Sequence, residues 1–188
     1  MLLVSLKRYC LGFIVLAVAM LGSAAASAQV WVGSTGTVDP NSVNLVKYID
    51  GRVELRNDAP VGSTAFIRYN VLPVRDLTHD LFSIEYRIFS ARFLDDGGGQ
   101  VVLLLKQYNI NTGAITTLMT FDSNLSVPGN SYQVNNTPGN PVFDFFWADS
   151  EGINPTTDSV YYVEAHLTRI AAGGHAGLAG FSIKTIIP

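Results

Sequence analysis

Cysteine is almost absent from this sequence, since Cys10 is the only one in 188 residues. It lies in a leading stretch that we expect to be removed, so the remaining protein has no thiol. That absence excludes disulfide bonds, thiol catalysis and cysteine-ligated zinc from the remaining domain. Such a domain depends on its hydrophobic core for stability.

Charge is also scarce, and positive charge especially so. Charged residues make up 14% of the chain, against about a quarter in an average domain. Without Lys7 and Arg8, ten basic residues remain against fifteen acidic ones, a net charge of −5, and no two basic residues are adjacent. Nucleic acids and anionic membranes are recognised by clustered Lys and Arg. We therefore expect no nucleic-acid partner, and contact with a membrane only through the export signal.

Catalytic motifs are missing as well. The G-x-S-x-G elbow of a serine hydrolase does not occur, and no His-x-x-x-His metal pair exists among the three histidines, His79, His166 and His175. Glycoside hydrolysis needs two carboxyl groups facing each other across a bond, and no strand carries a paired set from the four glutamates, Glu54, Glu85, Glu151 and Glu164. The sequence therefore predicts no catalytic residue, and it favours a non-enzymatic role.

The first residues have the three parts of a secretory signal peptide. Lys7 and Arg8 form a short positive region, Leu11–Leu21 is uninterruptedly apolar, and Ala26–Ala28 supplies small side chains for cleavage before Gln29. An uncleaved anchor is the alternative, but Gly, Ala and Ser dilute the apolar stretch before it reaches the length of a spanning helix. We expect a signal peptide at 1–28, one domain at 29–188, and a secreted or periplasmic location.

Short runs rich in Val, Ile, Thr, Tyr and Phe follow, separated by Gly, Pro and Asn clusters. This alternation predicts strands and turns, with no helical period of useful length. The fold expected is an all-β antiparallel β-sandwich, jelly-roll-like, of about 8–10 strands. The predicted strands are Val43–Ile49, Arg52–Arg56, Thr64–Val71, Leu81–Leu94, Gln100–Tyr108, Ala114–Phe121, Tyr132–Val134, Val142–Trp147, Ser159–Ile170 and Leu178–Ile187.

Details of five segments refine this expectation. Within Leu81–Leu94 the apolar positions change from even to odd after Ile88, which predicts a bulge or a crossing between sheets. The run Val101–Leu105 lacks alternation and should be covered on both faces. Asp50-Gly51 and the Asn109–Gly113 segment are expected to be hairpin turns, and Asn135–Pro141 is the most loop-like stretch inside the domain.

Asp95 and Asp96, followed by three glycines, are the candidate metal ligands. Two carboxylates in a flexible loop could hold calcium, which prefers six to eight oxygen ligands. The same letters also make an ordinary hairpin turn, and the spaced acidic pattern of an EF-hand is absent. Calcium is therefore a hypothesis, with further ligands from Asp122, Asp144 or Asp149, and no other cofactor is predicted.

Aromatic residues offer a second candidate site, because planar rings on a sheet face can hold sugars. Phe143, Phe145, Phe146 and Trp147, together with Tyr161 and Tyr162, supply enough rings for such a platform. A buried core is the alternative for the same residues. The segment Gln29–Val32 offers a third possibility, since an extended apolar terminus can either add to a neighbour's sheet or complete its own.

Several segments together resemble a group of small exported bacterial β-rich proteins of unassigned function. The similar segments are Gly33–Pro40, Arg92–Gly97, Thr120–Asn124 and Tyr161–Arg169, which span most of the mature chain. The resemblance implies an exported bacterial β-domain and no particular chemistry. We thus expect an exported non-enzymatic binding or cell-surface structural module. The alternative is a carbohydrate-binding module, possibly dependent on calcium, or a carbohydrate-active enzyme, with a glycan or another envelope protein as partner.

Overall fold

The fold comes from a computed structural model that describes residues 28–71, 86–139 and 159–186. Within these ranges the chain forms eleven strands and three short 3₁₀ turns. None of the helical turns there is long and apolar enough to span a membrane. The strands are β1 (Ala28–Val32), β2 (Thr37–Val38), β3 (Val46–Ile49), β4 (Arg52–Leu55), β5 (Thr64–Val71), β6 (Tyr86–Asp95), β7 (Gly99–Asn109), β8 (Ile115–Asp122), β9 (Gly129–Gly139), β10 (Ser159–Arg169) and β11 (Ala176–Ile186).

The strands form two antiparallel sheets, which confirms the predicted β-sandwich. The six-stranded sheet has the order β3-β4-β11-β6-β9, with β1 also paired to β11. The five-stranded sheet has the order β2-β5-β10-β7-β8. From β4 onward the chain passes repeatedly from one sheet to the other, and this exchange is what gives a jelly roll its two packed layers.

The core lies between the sheets, where alternate residues of each strand point inward. In β7, Val101, Leu103 and Leu105 are fully buried, while Val102 and Leu104 point away from the core and are half-buried. The apolar run is thus covered on its core face and only partly on its other face. Its position between β10 and β8 makes β7 an interior strand.

Both predicted hairpin turns are present. Asp50 and Gly51 have φ angles of 49° and 79°, and they connect the paired strands β3 and β4. Gly113, with φ 70°, closes the turn from β7 to β8, in which Asn109 accepts backbone hydrogen bonds from Asn111 and Thr112. The positive φ angles explain the glycines at these turns.

The prediction of a loop at Asn135–Pro141 is wrong for the residues up to Gly139. Strand β9 continues to Gly139 and pairs with β6, with Asn136 opposite Ser90. The two side chains are hydrogen bonded, Ser90 Oγ donating to Asn136 Oδ1. Because β9 lies at the edge of its sheet, its polar outward side chains do not need the apolar alternation that marks a central strand.

The irregularity predicted after Ile88 does not occur at that step. Strand β6 pairs continuously with β11 across Ile88 and Phe89, and its register shifts come later, at Phe93–Asp95 against β9. Phe89 and Phe93 point into the core, whereas Ile88 is less buried and has the opposite orientation. The apolar residues before Tyr86, the predicted strand Val142–Trp147 and residues 1–27 lie outside the described ranges.

The N-terminal segment completes its own sheet. Ala28–Val32 pairs with β11 from Lys184 to Gly180. The Trp31 ring stacks on Phe181 at 4.9 Å, and its Nε1–H donates to the carbonyl of Asn70, in the opposite sheet, at 2.9 Å. Trp31 therefore connects the two layers of the sandwich at this side.

Two glycine-rich turns meet at one end of the sandwich. The turn after Asp95 is not a hairpin between paired strands, because β6 and β7 belong to different sheets. A Cβ atom on Gly174 would lie 1.9 Å from the carbonyl oxygen of Gly98, and one on Gly99 would lie 2.1 Å from that of His175. Only glycine fits such a close approach of two backbones, so the two turns are interlocked.

Candidate functional site

The outward surface of the five-stranded sheet carries a group of polar and aromatic side chains on three adjacent strands. In β10, Tyr161, Val163, Ala165 and Leu167 are buried in the core, so Tyr162 and the other even-numbered residues point outward. We call this surface the outer face. It comprises Thr64, Phe66, Arg68 and Asn70 of β5, Val160, Tyr162, Glu164, His166 and Thr168 of β10, and Gln100, Val102, Leu104, Lys106 and Tyr108 of β7.

Glu164 occupies the middle of the outer face and has three partners. Its Oε2 accepts a hydrogen bond from Arg68 Nε at 3.0 Å. Its Oε1 accepts from Lys106 Nζ at 2.7 Å and pairs with His166 Nε2 at 2.9 Å. An ionised carboxylate is only an acceptor, so the proton of the His166 ring lies on Nε2 in the neutral imidazole.

These partners keep Glu164 ionised. Burial of the carboxyl group would by itself raise its pKa, but hydrogen bonds from His166, Lys106 and Arg68 outweigh burial and hold the pKa at about 2. A general acid must hold a proton near the working pH. Glu164 is therefore suited to organising its neighbours and not to donating a proton.

The cluster extends to the edge of the sheet through Arg68. This guanidinium lies 3.5 Å from Asp39, and its side chain is 50% exposed, whereas that of Glu164 is 8% exposed. Phe66 packs edge-on against the His166 ring, with centroids 4.7 Å apart. The result is a set of planar groups fixed by ion pairs on rigid strands, with the guanidinium of Arg68 reaching solvent.

Tyrosine rings lie on both sides of this sheet. Tyr161 is buried in the core, as the alternative to a sugar platform predicted. Tyr162 lies on the outer face between Asn70 and Lys106. Tyr108 is on the same face, opposite Val160. The predicted rings from Phe143 to Trp147 lie outside the described residues. Within those residues, Tyr162 is the ring of the predicted platform that lies on the outer face.

Sequence reasoning missed the cluster itself. The alternation of side chains along β10 puts Glu164 and His166 on the side opposite Tyr161 and Val163, but it does not show that β5 and β7 flank β10. The available signal was weak: Arg68 and Lys106 are each the one charged residue of their strand. An isolated charge in the middle of a strand is worth testing for an opposite charge on a neighbouring strand.

The candidate calcium ligands Asp95 and Asp96 have protein donors at all four carboxylate oxygens. Asp95 is buried; its Oδ1 accepts from Gly97 N at 2.9 Å and its Oδ2 from Ser123 Oγ. Asp96 accepts from Gly98 N at 3.0 Å and pairs with His175, through both the backbone N and ring Nδ1, the latter at 2.7 Å. Burial of Asp96 acts to raise its pKa, but the bonds from His175 and Gly98 outweigh it and lower that pKa.

Asp122, the further ligand considered for calcium, accepts instead from Gln100 Nε2 at 3.0 Å. Across residues 28–71, 86–139 and 159–186, no three His, Cys, Asp or Glu side chains form a group that could hold a metal ion. Asp144 and Asp149 lie outside these ranges. Calcium binding by Asp95 and Asp96 stays a prediction, and calorimetry with calcium after chelation tests it: absence of both heat and a melting shift would remove it.

No family model matches the chain, and a search of curated proteins finds no match either. Among solved structures, the chain is similar to a family 29 carbohydrate-binding module in complex with cellulohexaose, at 10% identity and a TM-score of 0.34, over 86% of this chain and 81% of that one. It is also similar to the family 11 module of Clostridium thermocellum in complex with a mixed-linked tetrasaccharide, at 13% identity and a TM-score of 0.35, over 88% and 90%.

A third similar structure, of infectious bursal disease virus, has 12% identity and a TM-score of 0.29, over 86% of this chain and 33% of that one. Identities and scores this low are found among β-sandwiches of unrelated function. The bound sugars are therefore facts about those modules. Function in this chain has to be argued from its own side chains.

Proposed function

We propose that this protein is an exported, non-enzymatic binding module that holds a carbohydrate on the outer face. The observation that supports it most directly is the Glu164 cluster, in which Arg68, Lys106 and His166 converge on one carboxylate. It fixes planar hydrogen-bonding groups next to an aromatic ring on a rigid sheet. Sites of this kind bind ligands at low cost in conformational entropy.

Sugars match these groups chemically. Each ring of a sugar has an apolar face of C–H bonds and a rim of hydroxyl groups. Tyr162 and Tyr108 offer aromatic surface to the apolar face of the sugar. The guanidinium of Arg68 offers donors to the hydroxyl groups, and the amide of Asn70 offers both donors and an acceptor. Asn70 and Tyr162 are directly opposite each other in neighbouring strands, so one ligand could contact both.

Carbohydrate-active catalysis has less support among the described residues. Glu164 is the one glutamate of the outer face within them, and its low pKa makes it unsuitable as a proton donor. The carboxylates of Asp39 and Asp122 are engaged with Arg68 and Gln100. A binding role needs none of them to change its protonation state.

A glycan array screened with the secreted chain tests the proposal. We expect binding that falls about tenfold in Tyr162→Ala, the loss typical of a ring that contacts the ligand. Tyr48→Ala is the matched control, because Tyr48 is half-exposed on the six-stranded sheet. An array without any bound glycan would contradict the proposal.

Export is part of the same proposal, as is kinship with the small exported bacterial proteins that the sequence resembles. Cleavage before Gln29 would leave the pairing of Gln29–Val32 with β11 intact. The mass of the protein recovered from the periplasm or medium tests this. A mass that includes residues 1–28 would contradict it.

A further inference from the structure

We infer that the ligand of the outer face is a neutral polysaccharide and not an acidic one. The inference rests on the proposed function and concerns the same site. It comes from the pairing of charges: in the described strands of the five-stranded sheet, the lysine and arginine that point outward, Lys106 and Arg68, are each within 3.0 Å of Glu164.

Lys106 has little capacity for a second anion. Its ammonium group lies 2.7 Å from Glu164 Oε1, and its side chain is 17% exposed. An acidic ligand would have to replace Glu164 as its partner. Doing so would remove the shortest of the three contacts that hold a largely buried carboxylate ionised, which is unfavourable.

Arg68 is more exposed but has two carboxylates already. Its Nε contacts Glu164, and its Nη1 lies 3.5 Å from Asp39. The remaining guanidinium donors can reach neutral hydroxyl oxygens, since a neutral acceptor does not need to displace either carboxylate. An anionic group at the same place would be repelled by both of them.

The balance of charge on the outer face and at its margins is negative, which also disfavours an acidic ligand. Asp39, Asp122 and Glu164 provide three negative charges, against the two positive charges of Arg68 and Lys106. The whole chain has a formal net charge of −3 with histidine neutral. A polyanion therefore approaches a surface and a molecule that are both negative, which lowers its rate of association.

A neutral chain finds a continuous row of partners across the sheet. Asn70, Tyr162, Lys106 and Thr117 lie opposite one another on four adjacent strands. Neighbouring strands are about 4.8 Å apart, so the row spans about 14 Å. An extended neutral polymer lying across the strands could contact all four residues at once.

Native gels cast with soluble polysaccharide test the inference on the full secreted chain. One series contains neutral polymers, a mixed-linked glucan and a xylan, and the other contains acidic polymers, a pectate and an alginate. Wild type, Tyr162→Ala and the control Tyr48→Ala are run together, and circular dichroism checks the folding of each. Asn70→Ala replaces Tyr162→Ala if the latter loses its β signal.

We expect retardation by a neutral polymer, an apparent affinity reduced about tenfold in Tyr162→Ala, an unchanged control, and no retardation by the acidic series. Retardation by an acidic polymer, equal to or stronger than by the neutral ones, would overturn this inference while leaving the proposed function in place. Retardation by neither series, with an empty glycan array, would overturn the proposed function and the inference with it.

Discussion

Among single residues, Glu164 contributes to stability through its ion pairs on the outer face. Replacement by Gln removes the negative charge that Lys106 and Arg68 share, and it leaves two cations in a partly buried site. We expect Glu164→Gln to lower the free energy of unfolding by about 2 kcal/mol, as measured by urea denaturation. Asp58→Asn is the control, because its pair with Arg56 is exposed to solvent and should contribute much less to stability. Equal effects of the two variants would contradict the assignment.

The same carboxylate predicts a pH dependence of stability. Its pKa is about 2 in the folded protein, below the ordinary value of 4.5, so its stabilising contribution is fully present above pH 4.5. It is lost as the pH falls from 4.5 towards 2, because the unfolded chain then binds the proton more readily. Urea denaturation should show a difference between wild type and Glu164→Gln that shrinks over this range. A difference that stays constant down to pH 2 would contradict the ion-pair network.

Among larger elements, the interlocked turns predict a strong effect of a small substitution. Gly174→Ala would place a Cβ atom 1.9 Å from the carbonyl oxygen of Gly98, so the two backbones would have to separate. We expect a loss of about 3 kcal/mol in unfolding free energy. Gly129→Ala is the matched control, since a Cβ atom there would have its nearest contact at 3.9 Å, and its effect should stay within about 0.5 kcal/mol. A neutral Gly174→Ala would show that the turns do not touch in solution.

How far the elements could be predicted depends on what each strand faces. Strand β5 was predicted at Thr64–Val71, its observed bounds, because its inward apolar residues alternate with outward ones of which three, Thr64, Arg68 and Asn70, are polar. Strand β9 was not predicted at its observed bounds, because its residues from Asn135 to Gly139 are typical of a loop. An edge strand can have such residues, since it pairs with one neighbouring strand only. Strand β1 was one of two alternatives for Gln29–Val32. Its place in the sheet depends on Trp31 packing against Phe181, 150 residues later in the chain.

The candidate site was less predictable than the fold, for a related reason. Alternation gives the direction of a side chain but not the neighbour of its strand. Glu164, Arg68 and Lys106 lie on three different strands, and only the strand order β5-β10-β7 brings them together. Asp95 and Asp96 stood out in the sequence because they are adjacent. In the structure the two side chains have different partners, Ser123 and His175.

At the scale of the whole molecule, we propose that one surface of the sandwich binds a carbohydrate and that the opposite surface does not. The outer face carries the Glu164 network and Tyr162, while the outward side of the six-stranded sheet carries a separate group in which Glu54 contacts Lys47 and Tyr132. The two surfaces are on opposite sides of a common core, so a bound ligand would perturb one set of backbone amides and leave the other unchanged. This difference is measurable without knowing which sugar binds most tightly.

The most direct measurement is a ¹H–¹⁵N correlation spectrum recorded during titration with an oligosaccharide taken from a polymer that binds. The account predicts shift changes centred on the amides of Asn70, Lys106 and Tyr162, with those around Val30 and Gly180 unmoved. Shift changes centred on the six-stranded sheet, with the Asn70, Lys106 and Tyr162 amides unmoved at saturation, would contradict it.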